Sequence, residues 1–341
     1  MRVQRTSCAI VTLIAVLIGA YQADAAAPFY QGKSIRFIVG ASAGGGYDTY
    51  TRAIARHIGR HIPGNPAIIV ENMAGAGSLI AANHVYNVAK PDGLTVGHFI
   101  GGLILQQLLG KPGINFDSRK FIYLGVPAQD NTVLGIAASS GITSAEQWLS
   151  SKKVLKFGGV GPGSAADDIP KLAAATIGLP IQLVTGYKGT SLIRLAFNSG
   201  EVHGLANSWE SYKSTWAKEL ETGALKIILQ ATPKRHPDLN NVPLVYDYAK
   251  TQEAKNLIQV GIHNYGLTAR PYVLPPGTPN ELVGLLRSGL TKTLTDPEFL
   301  ADAKRAKLDI DPLTGEELGK IVSEIFALDK QLIEKLKEIL K

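Results

Sequence analysis

Two stretches of this chain concentrate backbone chemistry. Ala43-Gly44-Gly45-Gly46-Tyr47-Asp48 and Gly161-Pro162-Gly163-Ser164 each join an apolar, strand-like run to a helix-like run. A helix start presents several N–H groups without intrahelical partners, together with a partial positive charge. Glycine lets a ligand approach that backbone and supplies φ values that other residues avoid. Both turns therefore suit a carboxylate or a phosphate, each favourable contact with the helix dipole contributing about 0.3–1 kcal/mol. One such loop serves equally well as a tight turn without a ligand. Two of them, one in each half of the chain, favour a ligand.

Other chemistries fit less well. No Gly-x-x-x-x-Gly-Lys-Ser/Thr string occurs. Gly75-Ala76-Gly77 opens a G-x-G-x-x-G whose sixth position is Ile80, and it follows the second strand instead of the first. The chain has no G-x-S-x-G, H-E-x-x-H or paired-cysteine pattern. His57 and His61 stand four apart on one helix, but no acid lies around them there, which suits surface histidines better than metal ligands. No metal and no cofactor are expected. Ser42 and Ser164 are the only serines placed to act as nucleophiles, and neither has a histidine near it in sequence. A secreted α/β hydrolase or transferase stays open as the alternative, requiring a nucleophile and a base to meet in space. Trp148 and Trp216 read as core; Asn207-Ser208-Trp209 directly follows a strand expected at 202–206.

The elements that must position these turns alternate. Strands are expected at 34–39, 67–70 and 94–97, with helices at 48–62 and 78–88 between them. The rhythm restarts with a strand at 154–157, a helix at 165–177 and strands at 181–184 and 227–229. The stretch 265–274 reads as extended, ending at Pro275-Pro276, and one amphipathic helix is expected over 316–341. The apolar stripe of that helix suits packing on its own domain better than a partner coiled coil. The pattern is α/β, with two units whose ligands should lie outside the carboxyl ends of the strands.

Composition narrows the partners. The 341 residues carry 35 Lys and Arg against 28 Asp and Glu, a net charge of +7, and no block of like charge, so nucleic-acid binding is not expected. Hydrophobic residues make up 45% and charged residues 18%, as in a globular chain. Arg2 and Arg5, the apolar run 9–18 and Ala23-Asp24-Ala25 read as a secretory signal cleaved after Ala25; an uncleaved anchor is the alternative. The only cysteine, Cys8, leaves with it. Disulfides, thiolate catalysis and cysteine metal sites leave too, and a bacterial periplasm is the simplest setting.

The string Gly44-Gly45-Gly46-Tyr47-Asp48-Thr49-Tyr50-Thr51-Arg52 resembles the first loop of the Bug, or tripartite tricarboxylate transporter receptor, family of periplasmic solute-binding proteins. Gly64-Asn65-Pro66, Glu71-Asn72-Met73-Ala74-Gly75-Ala76-Gly77-Ser78, Pro91-Asp92-Gly93, Gly186-Tyr187-Lys188-Gly189, Ser199-Gly200-Glu201-Val202 and Pro275-Pro276-Gly277-Thr278-Pro279 continue the resemblance in order. It implies a periplasmic binding protein type II-like fold: two doubly wound α/β domains joined by crossing strands, with the ligand cleft between them. The expected division is a signal peptide at 1–25, a first domain at 26–128 plus 265–341, and a second at 129–264. Crossing strands are expected near 125–134 and 265–270.

The resemblance further implies a receptor without catalysis, binding a small carboxylate through backbone amides. The first-loop positions are Ala43, Gly44, Gly45, Gly46, Tyr47 and Asp48. The second-loop positions run from Val160 to Asp168 and include Gly161, Gly163, Ser164, Ala165, Asp167 and Asp168. Tyr187, Lys188 and Gly189 follow the next strand, and Asn207, Ser208 and Trp209 fall near the far wall. Two positions depart from the family pattern: Ala43 stands where the first loop has proline, and Asp167 where the second has histidine. Acids at 167 and 168 would repel a tricarboxylate, so a mono- or dicarboxylate with an apolar, aromatic or amine-bearing part is expected. The implied partners are integral-membrane permease subunits, reached by a monomer that closes like a hinge; a sensor kinase is an alternative partner.

Overall fold

The computed structural model describes residues 27–341; the expected signal peptide and Cys8 lie outside the described residues. Two sheets organise the chain. The first contains β1 (Ser34–Val39), β2 (Ala67–Asn72), β3 (Thr95–His98) and β4 (Ile122–Val126). The second contains β5 (Thr132–Ala137), β6 (Leu155–Gly158), β7 (Ile181–Val184), β8 (Gly204–Ser208) and β9 (Leu225–Gln230). The chain then returns to the first sheet with β10 (Tyr272–Leu274) and β11 (Leu313–Thr314). The spatial orders are β11-β4-β10-β3-β1-β2 and β7-β6-β8-β5-β9.

The pairings β1–β2, β1–β3 and β6–β7 are parallel, as the alternating helices require. Antiparallel pairing enters where the chain crosses: β10 runs against β3 and β4, and β5 against β8 and β9. The two crossings are thus the β4–β5 link at 127–131 and the return into β10.

Both sheets are covered on both faces, which explains their nearly continuous apolar strands. On the first sheet, Tyr50 and Ile54 of the Gly46–Ile58 helix pack with Leu286 and Phe299 on one side. Val85, Phe99, Leu318 and Val322 fill the other side. On the second sheet, Trp148, Ile169 and Leu172 pack on one face, and Ile193, Tyr212 and Trp216 on the other. Burying each large apolar side chain contributes roughly 1.5–3 kcal/mol. Trp148 and Trp216 are core, as expected.

Two expectations fail for identifiable reasons. The stretch read as extended from Tyr265 is helical: Gln252–Ile258 continues through a π-helical turn, Gln259–His263, into the Asn264–Thr268 helix, and only Tyr272–Leu274 is strand. Its glycines look like helix breakers but serve close packing. A Cβ on Gly261 would sit 2.8 Å from Leu172 Cδ1, and one on Gly266 would sit 2.5 Å from the Asp130 carbonyl oxygen.

The single C-terminal helix is instead two, Gly315–Ile325 and Lys330–Leu340. Asp329 restarts it by accepting the N–H groups of Gln331 and Leu332. The stripe also changes allegiance there. Leu318, Val322 and Ile325 join the first sheet's core, whereas Leu336 and Leu340 join the second's. The last helix therefore packs on the second sheet's core, as Tyr265 and Ala269 do, while the chain from Tyr272 to Ile325 packs on the first.

Candidate functional site

β1 and β6 end at the two glycine-rich turns, each followed by a helix, and both turns open on one cleft. From the first unit come Gly45, Gly46 and Tyr47, with Ala41 and Ile100 behind them. From the second come Val160, Ser164, Ala165, Gly189, Asn207 and Ser208. The two crossings contribute Asp130, Tyr265 and Arg270.

The two units touch around this cleft. The Ser42 N–H donates to the Lys188 carbonyl at 3.1 Å, and the Ser42 and Ser191 hydroxyls lie 2.8 Å apart. A Cβ on Gly102 would come 1.9 Å from the Gly163 carbonyl oxygen, and one on Gly77 would come 3.2 Å from that of Pro162. Gln106 Nε2 donates to Asp168 at 2.9 Å, and Lys213 Nζ reaches Asp309 at 2.5 Å. Such close backbone approach describes a shut cleft.

Several expected ligand contacts are committed elsewhere. Asp48 does not line the cleft: its carboxylate accepts the Gly44 N–H at 2.9 Å, Arg52 Nε and Asn72 Nδ2. Asp167 accepts the Gly161 N–H at 2.7 Å, with the hydroxyls of Ser164 and Thr185. Asp168 accepts the Gly163 N–H at 3.1 Å and Gln106. The acids at helix positions 48, 167 and 168 thus occupy the amides of Gly44, Gly161 and Gly163. They engage the protein's own loops instead of facing a ligand. Burial pushes the Asp168 carboxyl up to about 7, against the Gly163 and Gln106 hydrogen bonds that favour its charge.

Ala43 and Lys188 also lie outside the lining, as do Tyr187, whose hydroxyl bonds Glu201, and Trp209, whose Nε1 donates to Asp238 at 2.9 Å. At the first turn, Thr49 N donates to Gly45 O as the first intrahelical bond. The N–H groups of Gly46 and Tyr47 therefore have no intrahelical acceptor and lie at the cleft wall. At the second turn, the Ala165 N–H already donates to Tyr265 Oη at 2.9 Å.

Two residues the sequence reading did not select, Arg270 and Asp130, sit at the centre. The Arg270 guanidinium is 1% exposed. Its Nε bonds Asp130, and its Nη2 donates to Ser208 Oγ at 2.7 Å and Ser211 Oγ at 2.8 Å. It also lies 4.9 Å over the Tyr47 ring and 4.6 Å over that of Tyr50. Burial works against its charge, but Asp130 holds it protonated; burial raises the Asp130 carboxyl.

Arg270 Nη1 and Asn207 Nδ2 are both buried without a hydrogen-bond partner. Buried polar groups are normally paired, so two unpaired donors among the lining residues are a strong chemical signal. A carboxylate accepts from both kinds of donor.

Catalytic and metal alternatives find less. Ser42 Oγ bonds Ser191, Ser164 Oγ bonds Gly161 O and Asp167, and no histidine is among the lining residues. His57 and His61 each hydrogen-bond a single carboxylate, Asp302 and Asp296, both also held by arginines. Glu210, His236 and Asp309 approach one another, but Lys213 already places its ammonium on Asp309.

The comparisons with known proteins agree with this architecture. A family model described as tripartite tricarboxylate transporter family receptor matches residues 51–337. A Cupriavidus necator protein called "UPF0065 protein in gbd 5'region" is 26% identical over 326 residues, covering 94% of this chain and 92% of its own. The periplasmic binding protein BugD superimposes with a TM-score of 0.73 at 20% identity, over 91% of this chain and 98% of that one. A Rhodopseudomonas palustris protein solved with adipate gives 0.73 at 22% identity, over 90% and 98%.

Proposed function

This chain belongs to the tripartite tricarboxylate transporter receptor family, a family of periplasmic solute-binding proteins, and from that premise we propose that it captures a small organic carboxylate between its two units. The observation that carries this reading is the pair of unpartnered donors, Arg270 Nη1 and Asn207 Nδ2, on residues that line the cleft. The Gly46 helix start adds its N–H groups and dipole to the same wall. Structures of similar fold carry malate or adipate, which supports the same ligand chemistry.

In this mechanism the links at 127–131 and around 269–271 act as the hinge. The ligand settles on the first unit, the second swings over it, and the Ser42–Ser191 and Gln106–Asp168 contacts form as water leaves. Residues 1–25 direct export, the closed form is handed to integral-membrane permease subunits, and the receptor works as a monomer without cofactor or metal. It does not transform its ligand. The committed hydroxyls of Ser42 and Ser164 favour this over a hydrolase. Among the described residues, no helix is long and apolar enough to cross a membrane.

Titration calorimetry against a panel of organic acids tests the proposal. Saturable one-to-one binding is expected, with micromolar affinity corresponding to about 8 kcal/mol. Asn207→Ala should weaken it by about tenfold. Turnover of an ester or amide, or no binding to any carboxylate, would count against it.

A further inference from the structure

His98 ends β3 and is wholly buried, so both of its ring nitrogens need partners inside the protein. Nδ1 lies 3.0 Å from the Pro271 carbonyl oxygen. A carbonyl only accepts, so Nδ1 carries the hydrogen and donates it, and Nε2 is the bare nitrogen. Nε2 has no hydrogen-bond partner. Burial, with the Arg270 charge beside it, pushes the imidazole down to about 3 against the pull of the Pro271 bond. The ring is therefore neutral near pH 7 and held in one tautomer.

That one bond acts on the segment that carries Arg270. Pro271 follows Arg270 and Ala269 precedes it. The Ala269 carbonyl is also held from the first unit, by Tyr47 Oη at 2.7 Å and by the Gly101 N–H at 3.0 Å. The carbonyls on either side of Arg270 are thus each gripped by a first-unit side chain, Tyr47 before it and His98 after it. The two grips brace each other. The Tyr47 and His98 rings lie 4.9 Å apart, and His98 stacks on Tyr272 at 4.2 Å with an interplanar angle of 12°. Arg270 in turn lies 4.9 Å over the Tyr47 ring. Tyr272, His98, Tyr47 and Arg270 therefore run from the core of the first sheet to the cleft. Tyr47 and Arg270 line that cleft and His98 does not.

We propose that His98 is a positioning residue for this cleft: its Nδ1–H holds the Pro271 carbonyl and, with Tyr47 on Ala269, sets where the Arg270 guanidinium meets the ligand's carboxylate. His98 itself touches no ligand. This rests on the receptor reading above and adds a residue to its machinery.

Calorimetry on the full chain tests it, the probe being whichever of malate, adipate and benzoate binds the wild type most tightly. His98→Asn keeps a donor one bond from Cγ, where Nδ1 stands, and loses the ring. His98→Phe keeps a ring behind Tyr47 and loses the donor. His98→Phe should bind about tenfold more weakly than wild type, and His98→Asn within about threefold of it. Val85→Ala, in the buried core of the same unit, should lower the melting temperature and leave the affinity unchanged, which separates positioning from stability. In the wild type, 15N spectra should show His98 protonated on Nδ1, with no titration between about pH 5 and pH 8. Four results would each overturn this inference and leave a carboxylate receptor: wild-type affinity in His98→Phe, equal weakening in His98→Asn and His98→Phe, equal weakening in Val85→Ala, or a hydrogen on Nε2. Should neither histidine variant fold, the 15N spectrum decides. Binding of no organic acid by the wild type overturns the receptor reading itself.

Discussion

Arg270 and Asp130, one from each crossing between the sheets, form a buried ion pair at the base of the cleft. The pair fixes the guanidinium through Nε and Nη2 and leaves Nη1 buried without a hydrogen-bond partner. Removing one partner strands the other charge in the interior. Arg270→Leu should therefore cost about 3–5 kcal/mol in chemical denaturation, whereas the double variant Arg270→Leu/Asp130→Leu should recover most of it. Equal losses in the single and double variants would mean that the ion pair is not what the interior depends on.

The close approach of Gly102 to Gly163 makes closure sensitive to one methyl group. Gly102→Ala places a Cβ against a backbone oxygen of the other unit, which no side-chain rotation relieves. Each unit should fold unchanged, but the cleft should stay more open. Small-angle scattering should show a larger radius of gyration. Ligand affinity should fall by more than about tenfold, because the competent state is less populated. Wild-type scattering together with wild-type affinity would argue that these units need not close this tightly.

Stability should carry a pH signature from Asp168. Its folded pKa, about 7, lies above the ordinary 3.8. The folded chain thus holds a proton that the unfolded chain has released between those values. The contribution is fully present below about pH 4 and is lost as pH rises towards 7. Asp168→Asn keeps an oxygen for Gly163 and Gln106 and removes the titration. Its melting temperature relative to wild type should rise from pH 4 to pH 8. A pH-independent difference would place Asp168 in contact with water.

Asp48 gives the opposite slope. Burial opposes its charge, but bonds from Arg52, Gly44 and Asn72 outweigh that and hold it below the usual carboxylate range. Its stabilisation is present above about pH 4 and lost as pH falls through its folded pKa. Asp48→Ala releases the Gly44 N–H and Asn72, tying β1, the helix and β2 less firmly, and should cost about 1–3 kcal/mol near neutral pH. Comparing its denaturation at pH 7 and pH 3 should show the deficit shrinking in acid.

The architecture was legible because period and punctuation agree: β1, the Gly46 helix and β2 follow in the expected order, as do β6, the 165–177 helix and β7. The helical end at 265–268 was not, because Gly266 signals a break locally while close packing on the Asp130 backbone holds it in a helix. In the candidate site, both glycine turns open on one cleft, but Asp48, Asp167 and Asp168 turn back onto their own loops. Sequence spacing alone does not reveal which way a carboxylate faces. Arg270 and Asp130 did leave a trace. Asp130 is the lone charged residue in the apolar stretch 121–145, and Arg270 is the lone arginine or lysine in 257–274. Opposite charges isolated in the two crossings are what a buried pair requires.

The most direct test is a crystal structure of the protein with its tightest-binding carboxylate. The ligand should lie between the two units, with one carboxylate within hydrogen-bond distance of both Arg270 Nη1 and Asn207 Nδ2 and its apolar part towards Ile100 and Val160. A ligand seated elsewhere, or one held in the cleft without contact to either donor, would contradict the proposed mode of capture.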